Sequence, residues 1–136
     1  MENRNYRNIA IECQKIGDNN KAIKFFLMGI ENGESLACID MTLEMKYISD
    51  NYKYSEESLQ ALNPKSFDYY LDLGINMGCL DCMFYKAREQ YFGEYLKYSK
   101  EEALTTFLYL ESKGYEPDYF DDDYSISDYI EMLKSK

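Results

Sequence analysis

The sequence predicts an all-α fold, an α-α superhelix (solenoid) of three helix pairs followed by a C-terminal capping helix. Three observations predict it: a glycine-ended segment recurs three times, its apolar residues have helical spacing, and another helical pattern precedes each copy. The 136 residues favour one domain, because chains usually divide only beyond about 100–200 residues per core. We therefore expect a single helical-repeat domain over residues 1–136, with units at about 3–33, 34–78 and 79–114 and an acidic linker and capping helix at 115–136.

The recurring segment becomes visible when the sequence is aligned with itself on glycine. Lys21–Gly33 matches Ser66–Gly78 at an offset of 45 residues, and Glu102–Gly114 follows at a further offset of 36. Each copy is predicted to be a helix that ends at its last glycine, because glycine can take the left-handed conformation that satisfies the free carbonyls. The inner glycines, Gly29 and Gly74, lower helix propensity but let a second helix pass close by. We predict that they are contact points between helices.

The apolar residues of these copies form one stripe along each helix, at positions i, i+3, i+4, i+7 and i+8. Asn63 and Pro64 precede the second copy and supply a capping side chain and a first-turn proline, so a helix is predicted to start there. The two clearest stripes are Ala22, Phe25, Phe26, Gly29 and Ile30 in the first copy and Phe67, Tyr70, Leu71, Gly74 and Ile75 in the second.

A second helical pattern precedes each copy, so the predicted unit is a helix pair. In the first pair Gly17–Asn20 forms a tight turn, whereas in the second pair Asp50–Asn63 is long and Ser55–Leu59 could add a helical turn. The preceding helices are predicted at Asn3–Ile16, Glu34–Ser49 and Cys79–Phe92. Their apolar faces are Tyr6, Ile9, Ala10, Cys13 and Ile16; Ala37, Cys38, Met41, Met45 and Ile48; and Cys82, Met83 and Ala87.

The third unit carries a resemblance to a known repeat family. Its pattern consists of small residues at Cys82 and Ala87, a turn glycine at Gly93, Ala103, an aromatic residue at Phe107 and a closing glycine at Gly114. This pattern resembles the Sel-one-like repeats, close relatives of the tetratricopeptide repeats. The first unit matches through Gly17-Asp18, Lys21-Ala22 and Phe25-Phe26. The second departs most, because it lacks the turn glycine and has Phe67 where the family has alanine, and in the third Lys86 stands at an apolar position.

Stacked helix pairs form a curved surface whose concave wall is lined by the first helix of each pair, and such surfaces bind other proteins. Opposite the predicted core, these first helices present tyrosine and arginine, which are enriched at binding hot spots. An ordinary solvated face is the alternative interpretation. The predicted partner-binding residues are Arg4, Asn8, Lys15, Asp40, Leu43, Tyr47, Asp81, Tyr85 and Arg88.

The segment Tyr115–Glu131 holds seven acidic residues and no lysine or arginine. Its second part is predicted to be a helix, because Ser125 and Asp128 resemble a capping box and the stripe Ile126, Tyr129, Ile130 and Leu133 follows. We expect it to cap the last apolar face of the stack; an acidic docking patch for a basic protein is the alternative. The predicted acidic patch is Glu116, Asp118, Asp121, Asp122, Asp123 and Asp128.

The composition also bears on chemistry. The chain has no histidine, the usual general base near neutral pH and the commonest neutral metal ligand. Cys79 and Cys82 have CxxC spacing, but zinc sites need further ligands, so Cys82 is interpreted as a small core thiol. We predict no catalytic residue, no metal and no cofactor. A small hydrolase or a redox protein that uses Cys79 and Cys82 is the weakest alternative.

Charge and hydropathy indicate the kind of partner. A net charge of −10 opposes direct binding to nucleic acid. No apolar run predicts a membrane span and the amino terminus lacks an export pattern, so we expect a cytoplasmic protein with reduced cysteines. We expect a monomeric, non-catalytic module that binds another protein, for example one with a basic surface. The alternative is an acidic inhibitor or immunity protein of a bacterium, phage or virus that blocks a toxin, a nuclease or another nucleic-acid-binding protein.

Overall fold

The computed structural model describes residues 5–48, 51–62, 65–117 and 124–135. Within these residues the chain forms eight helices and no strand, which confirms the all-α class. No helix in these ranges is long and apolar enough to cross a membrane. The helices are α1 (Tyr6–Lys15), α2 (Asn19–Glu31), α3 (Leu36–Lys46), α4 (Glu56–Leu62), α5 (Tyr69–Asn76), α6 (Leu80–Phe92), α7 (Lys100–Ser112) and α8 (Ile126–Lys134).

The helices α2, α5 and α7 end with the same turn. Gly33, Gly78 and Gly114 have φ angles of +84°, +86° and +69°, so the predicted left-handed glycines are confirmed. The residue that follows each glycine donates its backbone N–H to a carbonyl in the last turn of the helix. These hydrogen bonds run from Glu34 N to Gly29 O at 2.8 Å, from Cys79 N to Gly74 O at 3.0 Å and from Tyr115 N to Leu110 O at 3.1 Å. This hydrogen bond closes the last helical turn and leads the chain into the segment that follows.

Side-chain caps start several helices. Asp18, Ser99 and Ser125 each accept a hydrogen bond from the backbone N–H three residues further on. The Ser125 side chain accepts from Asp128 N at 3.1 Å, and Asp128 Oδ2 accepts from Ser125 N at 2.9 Å, so the predicted capping box is confirmed. Because Asp18 is a cap, α2 begins at Asn19 and the preceding turn is shorter than predicted.

The second helix pair differs from its prediction at the start of α5. This helix begins at Tyr69, and Asn63 and Pro64 lie outside the described residues. Phe67 precedes the helix and stacks on Tyr95, with ring centroids 5.1 Å apart. Local start signals could not reveal this contact, because Tyr95 lies far away in the sequence. The suggested helical turn at residues 55–59 is confirmed by α4.

Each helix packs on the next one along the chain, except that α4 leaves the line and α3 packs directly on α5. The buried side chains form two clusters, and α6 belongs to both. Cys82 and Tyr85 join the first cluster, whereas Phe84 and Ala87 join the second. The predicted stripe of α8 is buried in the second cluster, so this helix covers α7.

The inner glycines are helix contacts, as predicted. A Cβ on Gly29 would lie 3.5 Å from Ala37 Cβ, whereas one on Gly74 would overlap Cys82 Sγ and lie 3.2 Å from Cys38 Cβ. Cys82 is fully buried, which confirms its interpretation as a small core residue. At Gly74, α5 has no side chain and therefore lies in close contact with Cys38 of α3 and Cys82 of α6.

Two residues of the predicted binding row are buried. Asp40 is 9% exposed and Tyr85 is 2% exposed, so the expectation that both face solvent is wrong. Asp40 is buried because α3 packs against α2, α4, α5 and α6, which cover nearly all of its faces. Tyr85 is buried because α6 packs against α3 and α5, where Tyr85 joins the first cluster. Asp40 forms an ion pair with Arg7. Burial raises the pKa of Asp40, and the hydrogen bond and charge of Arg7 only partly offset this.

We expect Gly33→Val to lower the free energy of unfolding by more than about 1 kcal/mol, because a β-branched residue resists a positive φ. Nothing lies within 4 Å of the Cβ position, so the loss would come from the backbone conformation and not from a clash. Urea unfolding followed by circular dichroism measures the change. Gly33→Asn should cost less, because asparagine tolerates the left-handed region; equal losses would contradict this explanation.

We expect Gly74→Ala to destabilise the fold by about 1–3 kcal/mol, because the added methyl group overlaps Cys82 Sγ. Gly29→Ala is the matched control at the equivalent position. Its Cβ meets atoms only at 3.5 Å or more, so the gain in helix propensity should leave stability unchanged or raised. Adding Cys82→Ala to Gly74→Ala should recover part of the loss in thermal unfolding. Equal stability of Gly74→Ala and Gly29→Ala would contradict the close approach of the helices at Gly74.

Candidate functional site

The ends of α1, α3 and α6 expose large apolar side chains. Ile16 is 80% exposed, Tyr47 is 68% exposed and Phe92 is 53% exposed. Each stands at the last residue of its helix or directly after it. Tyr47 and Phe92 also correspond at the offset of 45 residues. Ile48, Tyr95 and Tyr98, which lie close to them in the sequence, are also exposed. We call this set of exposed residues the helix-end edge, which consists of Ile16, Tyr47, Ile48, Phe92, Tyr95 and Tyr98.

A buried ion pair lies next to Tyr47 and Tyr95 of the helix-end edge. Lys46 Nζ lies 2.8 Å from Glu89 Oε1 and ties α3 to α6. The same ammonium lies 4.7 Å from the ring centre of Tyr95 and 5.7 Å from that of Tyr47, within range of cation–π attraction. Burial opposes the charge on Lys46, but the hydrogen bond to Glu89 and the surrounding groups outweigh it and raise the pKa of Lys46. The cation therefore stays charged and positions both tyrosines.

A hollow of about 220 Å³ opens between the ends of α1 and α3, beside Tyr47. Leu43 and Tyr54 line it together with Tyr47. Gln14 Nε2 donates a hydrogen bond to Glu44 Oε1 at 2.7 Å. Burial raises the pKa of Glu44, and the Gln14 hydrogen bond partly offsets this. Apolar walls beside a satisfied polar pair can receive a side chain of a partner protein.

Three residues of the predicted binding row lie at this part of the surface. Lys15 and Tyr47 are exposed, and Leu43 is half-buried in the hollow. Lys15 Nζ lies 3.2 Å from Glu12 Oε1, an exposed ion pair within one turn of α1. The structure thus places these three predicted residues on the ends of neighbouring helices.

The other predicted residues lie elsewhere. Asn8 is exposed near the start of α1, at the opposite end from the helix-end edge. Asp81 is half-buried and accepts a hydrogen bond from the Tyr115 hydroxyl group. Arg88 is half-buried on α6, and Arg4 lies outside the described residues. The nine predicted residues therefore do not form one continuous row.

The sequence interpretation missed the apolar ends of two helices. Ile16 was expected in the core face of the first helix, but α1 ends at Lys15 and Ile16 points away from that face. Ile16 and Phe92 each precede a left-handed glycine, Gly17 at φ +82° and Gly93 at φ +69°. An apolar residue directly before the glycine that ends a helix is therefore the sequence signal that could have identified Ile16 and Phe92 as exposed.

A larger groove of about 720 Å³ lies between α5, α6 and α7, and we call it the α5–α7 groove. Ile75 on α5, Met83 on α6 and Tyr109 on α7 supply its apolar surface. Glu101 and Glu102, in the first turn of α7, line the same groove. The groove therefore combines apolar contact area with negative charge.

The lysine in the α5–α7 groove is already paired within the chain. Lys86 Nζ lies 2.7 Å from Asp72 Oδ1 and 3.7 Å from Asp68 Oδ2. Burial opposes the charge of Lys86, but the hydrogen bond to Asp72 and the nearby carboxylates outweigh it and raise the pKa of Lys86. Gln90 donates to Glu102 at 2.8 Å, which orients that carboxylate. Among the described lining residues Glu101 and Glu102 therefore outnumber the one cation, Lys86, and a further cation, Lys113 Nζ, lies 5.5 Å from the ring centre of Tyr109.

The predicted acidic patch is described only in part. Glu116 and Asp128 are exposed and line a hollow of about 640 Å³ beside the start of α8. Asp128 also belongs to the capping box. Asp118 and the aspartates 121–123 lie outside the described residues.

The CxxC pair lies at the start of α6. All four cysteines are free and buried, and the Cys79 Sγ caps the helix by accepting a hydrogen bond from Cys82 N at 3.4 Å. The hydrogen bond from the Cys82 side chain lowers the pKa of Cys79 to about 6, although burial acts in the opposite direction. That hydrogen bond and burial raise the pKa of Cys82. Within the described ranges, no group of three or more potential ligands could hold a metal ion.

Compared with known proteins, the chain matches no protein-family model, no curated protein and no solved structure. The resemblance to Sel-one-like repeats therefore stays a prediction from the sequence.

We expect the free energy of unfolding to rise with pH between about pH 6 and pH 9, in part because of Cys79. Its pKa is about 6 in the folded chain and 9.0 for an ordinary cysteine, so in this interval the unfolded chain binds the extra proton. Cys79→Ser should reduce this slope, measured by urea unfolding at several pH values. Cys38→Ser is the control, because burial raises the pKa of Cys38 to about 12. An unchanged slope in Cys79→Ser would contradict the assignment.

Proposed function

We propose that this protein is a non-catalytic, monomeric module that binds another protein through the helix-end edge. The proposed architecture is an α-α superhelix of three Sel-one-like pairs, α1 with α2, α3 with α5 and α6 with α7, with α8 as the cap. In this arrangement the helix-end edge collects the ends of the first helices of all three pairs. A partner would then contact every unit at once.

Two structural features support the superhelix. The second helix of each proposed pair ends with the same glycine turn and the same hydrogen bond. The packing order of the helices, with α3 also contacting α6, is the order that stacked pairs require. The long insertion between α3 and α5 is accommodated because α4 packs to the side, against α2 and α3.

The exposure of Ile16, Tyr47 and Phe92 carries the proposal for binding. Single exposed apolar residues are common on protein surfaces, but large ones at the ends of the first helices of all three proposed pairs favour an interaction site. Tyr47 and Tyr95 also lie within cation–π range of the Lys46 ammonium, at 5.7 and 4.7 Å from their ring centres. Aromatic residues in such positions are enriched at the centres of interfaces.

An inhibitor of a basic protein is the second candidate function. The net charge of −10 favours it, because opposite charge accelerates association with a nucleic-acid-binding surface. The hollow lined by Glu111, Glu116 and Asp128 offers such a protein an acidic contact. In this case the affinity should fall steeply between about 0.05 M and 0.5 M salt, whereas binding through the helix-end edge should depend weakly on salt.

We expect Tyr47→Ala and Phe92→Ala each to weaken partner binding by about tenfold or more, as removal of an interface aromatic residue does. The partner is first identified by affinity capture from cells of the source organism and by mass spectrometry. Its affinity for purified wild-type and variant protein is then measured by calorimetry. A Cys79→Ser variant should bind normally, and loss of binding in it would instead favour a role of the thiols.

Leu108→Ala is the matched control for these variants. Leu108 is an exposed apolar residue on α7 that belongs neither to the helix-end edge nor to the lining of the α5–α7 groove. Circular dichroism should show that all variants stay folded. If Tyr47→Ala and Phe92→Ala bind the partner as tightly as Leu108→Ala does, the helix-end edge is not the binding surface.

A further inference from the structure

We propose that the α5–α7 groove binds a short amphipathic helix of a partner protein whose polar side carries lysine or arginine. This inference rests on the proposed protein-binding function and adds a second contact of defined chemistry. It is based on two spaces that corresponding helices surround, one between α2, α3 and α5 and the other between α5, α6 and α7. One is filled by α4, and the other is the open groove.

The filled place lies over α3. There α4 packs against α2 and α3, and its Ala61 and Leu62 are buried in the same cluster as Met41 of α3. The Tyr70 hydroxyl group, on α5, donates a hydrogen bond to the Ala61 carbonyl at 2.7 Å. A helix of seven residues thus occupies the space that α2, α3 and α5 surround.

The open place has the same framework one unit further on. Under the offsets of 45 and 36 residues, α2, α3 and α5 correspond to α5, α6 and α7. Met41 then corresponds to Lys86 and Tyr70 to Thr106, and both Lys86 and Thr106 line the α5–α7 groove. Residues 93–99, which connect α6 to α7, contain no helix that could fill it. The groove is therefore the unfilled equivalent of the α4 position.

The chemistry of the groove defines its occupant. Ile75, Met83 and Tyr109 offer apolar contact area, which suits the apolar side of a helix, as Ala61 and Leu62 show in the filled place. Lys86, the cation among the lining residues that the structure describes, is paired with Asp68 and Asp72. Glu101 and Glu102 add two further carboxylates. An occupant with lysine or arginine beside its apolar stripe complements this charge.

The first test uses synthetic peptides with the full chain. One amphipathic peptide of about 14 residues carries leucine on one side and lysine on the other, and a second has glutamate in place of every lysine. We expect the lysine peptide to bind, by fluorescence anisotropy, at least about tenfold more tightly than the glutamate peptide. Equal binding of both peptides, or binding of neither, would overturn the proposal.

The second test locates the bound peptide. Glu101→Lys should weaken binding of the lysine peptide by about threefold to tenfold, whereas Glu57→Lys, the same change in the first turn of α4, should weaken it less. Thr106→Trp should weaken binding by about tenfold or more, because the larger side chain would obstruct the α5–α7 groove. In spectra of methyl-labelled methionine, Met83 should shift on binding and Met28, on α2, should not. Unchanged affinity in Glu101→Lys and Thr106→Trp would place the peptide elsewhere and overturn the proposal.

Two outcomes separate this inference from the proposed function. If the groove variants bind the peptide normally while Tyr47→Ala still loses the natural partner, only the groove assignment fails. If the wild-type chain self-associates and Thr106→Trp makes it monomeric, the occupant is a second copy of the chain, which overturns both the basic partner helix and the monomeric state.

Discussion

The close approach of α5 to α3 and α6 at Gly74 is the constraint on which the rest of the structure depends. A Cβ there would overlap Cys82 Sγ and lie 3.2 Å from Cys38 Cβ, so three helices meet around a position that favours glycine. This contact sets the distance between the second and third helix pairs. It also lets α6 take part in two hydrophobic clusters, with Cys82 facing one and Phe84 the other. The two clusters are thereby linked through α6.

The polar groups inside this arrangement stabilise the contacts between helices. The Lys46–Glu89 pair ties α3 to α6, and the Arg7–Asp40 pair ties α1 to α3. Buried charges of this kind are tolerated because each has an opposite partner at hydrogen-bond distance. Cys79 has a comparable structural role, since its sulfur atom caps α6. These ion pairs and Cys79 thus stabilise contacts and caps within the fold, and the proposed function therefore uses the exposed surfaces.

The two candidate surfaces have different chemistry. The helix-end edge is mainly apolar and aromatic, and the Lys46 ammonium lies within cation–π range of Tyr47 and Tyr95. The α5–α7 groove combines apolar residues with carboxylates, and the helices around it correspond by sequence offset to those that surround α4. A partner that used both would combine a contact of low salt dependence with one that is electrostatic. The net charge of −10 would speed the encounter with a partner that carries lysine or arginine.

The sequence by itself determined the helical class, the three glycine-ended helices, the contacts at Gly29 and Gly74 and the capping box of α8. These features depend on short-range patterns, namely apolar spacing, left-handed glycine and reciprocal caps, which are readable in one segment at a time. Only the tertiary structure decided that Asp40 and Tyr85 are buried, that Phe67 stacks on Tyr95 before α5 begins, and that Ile16 is exposed. It also decided where α4 packs and that the equivalent place stays open. The physical reason is that the burial of a helix face depends on every helix packed around it, and helices such as α5 and α6, which pack on α3, are separated from it in the sequence by other elements.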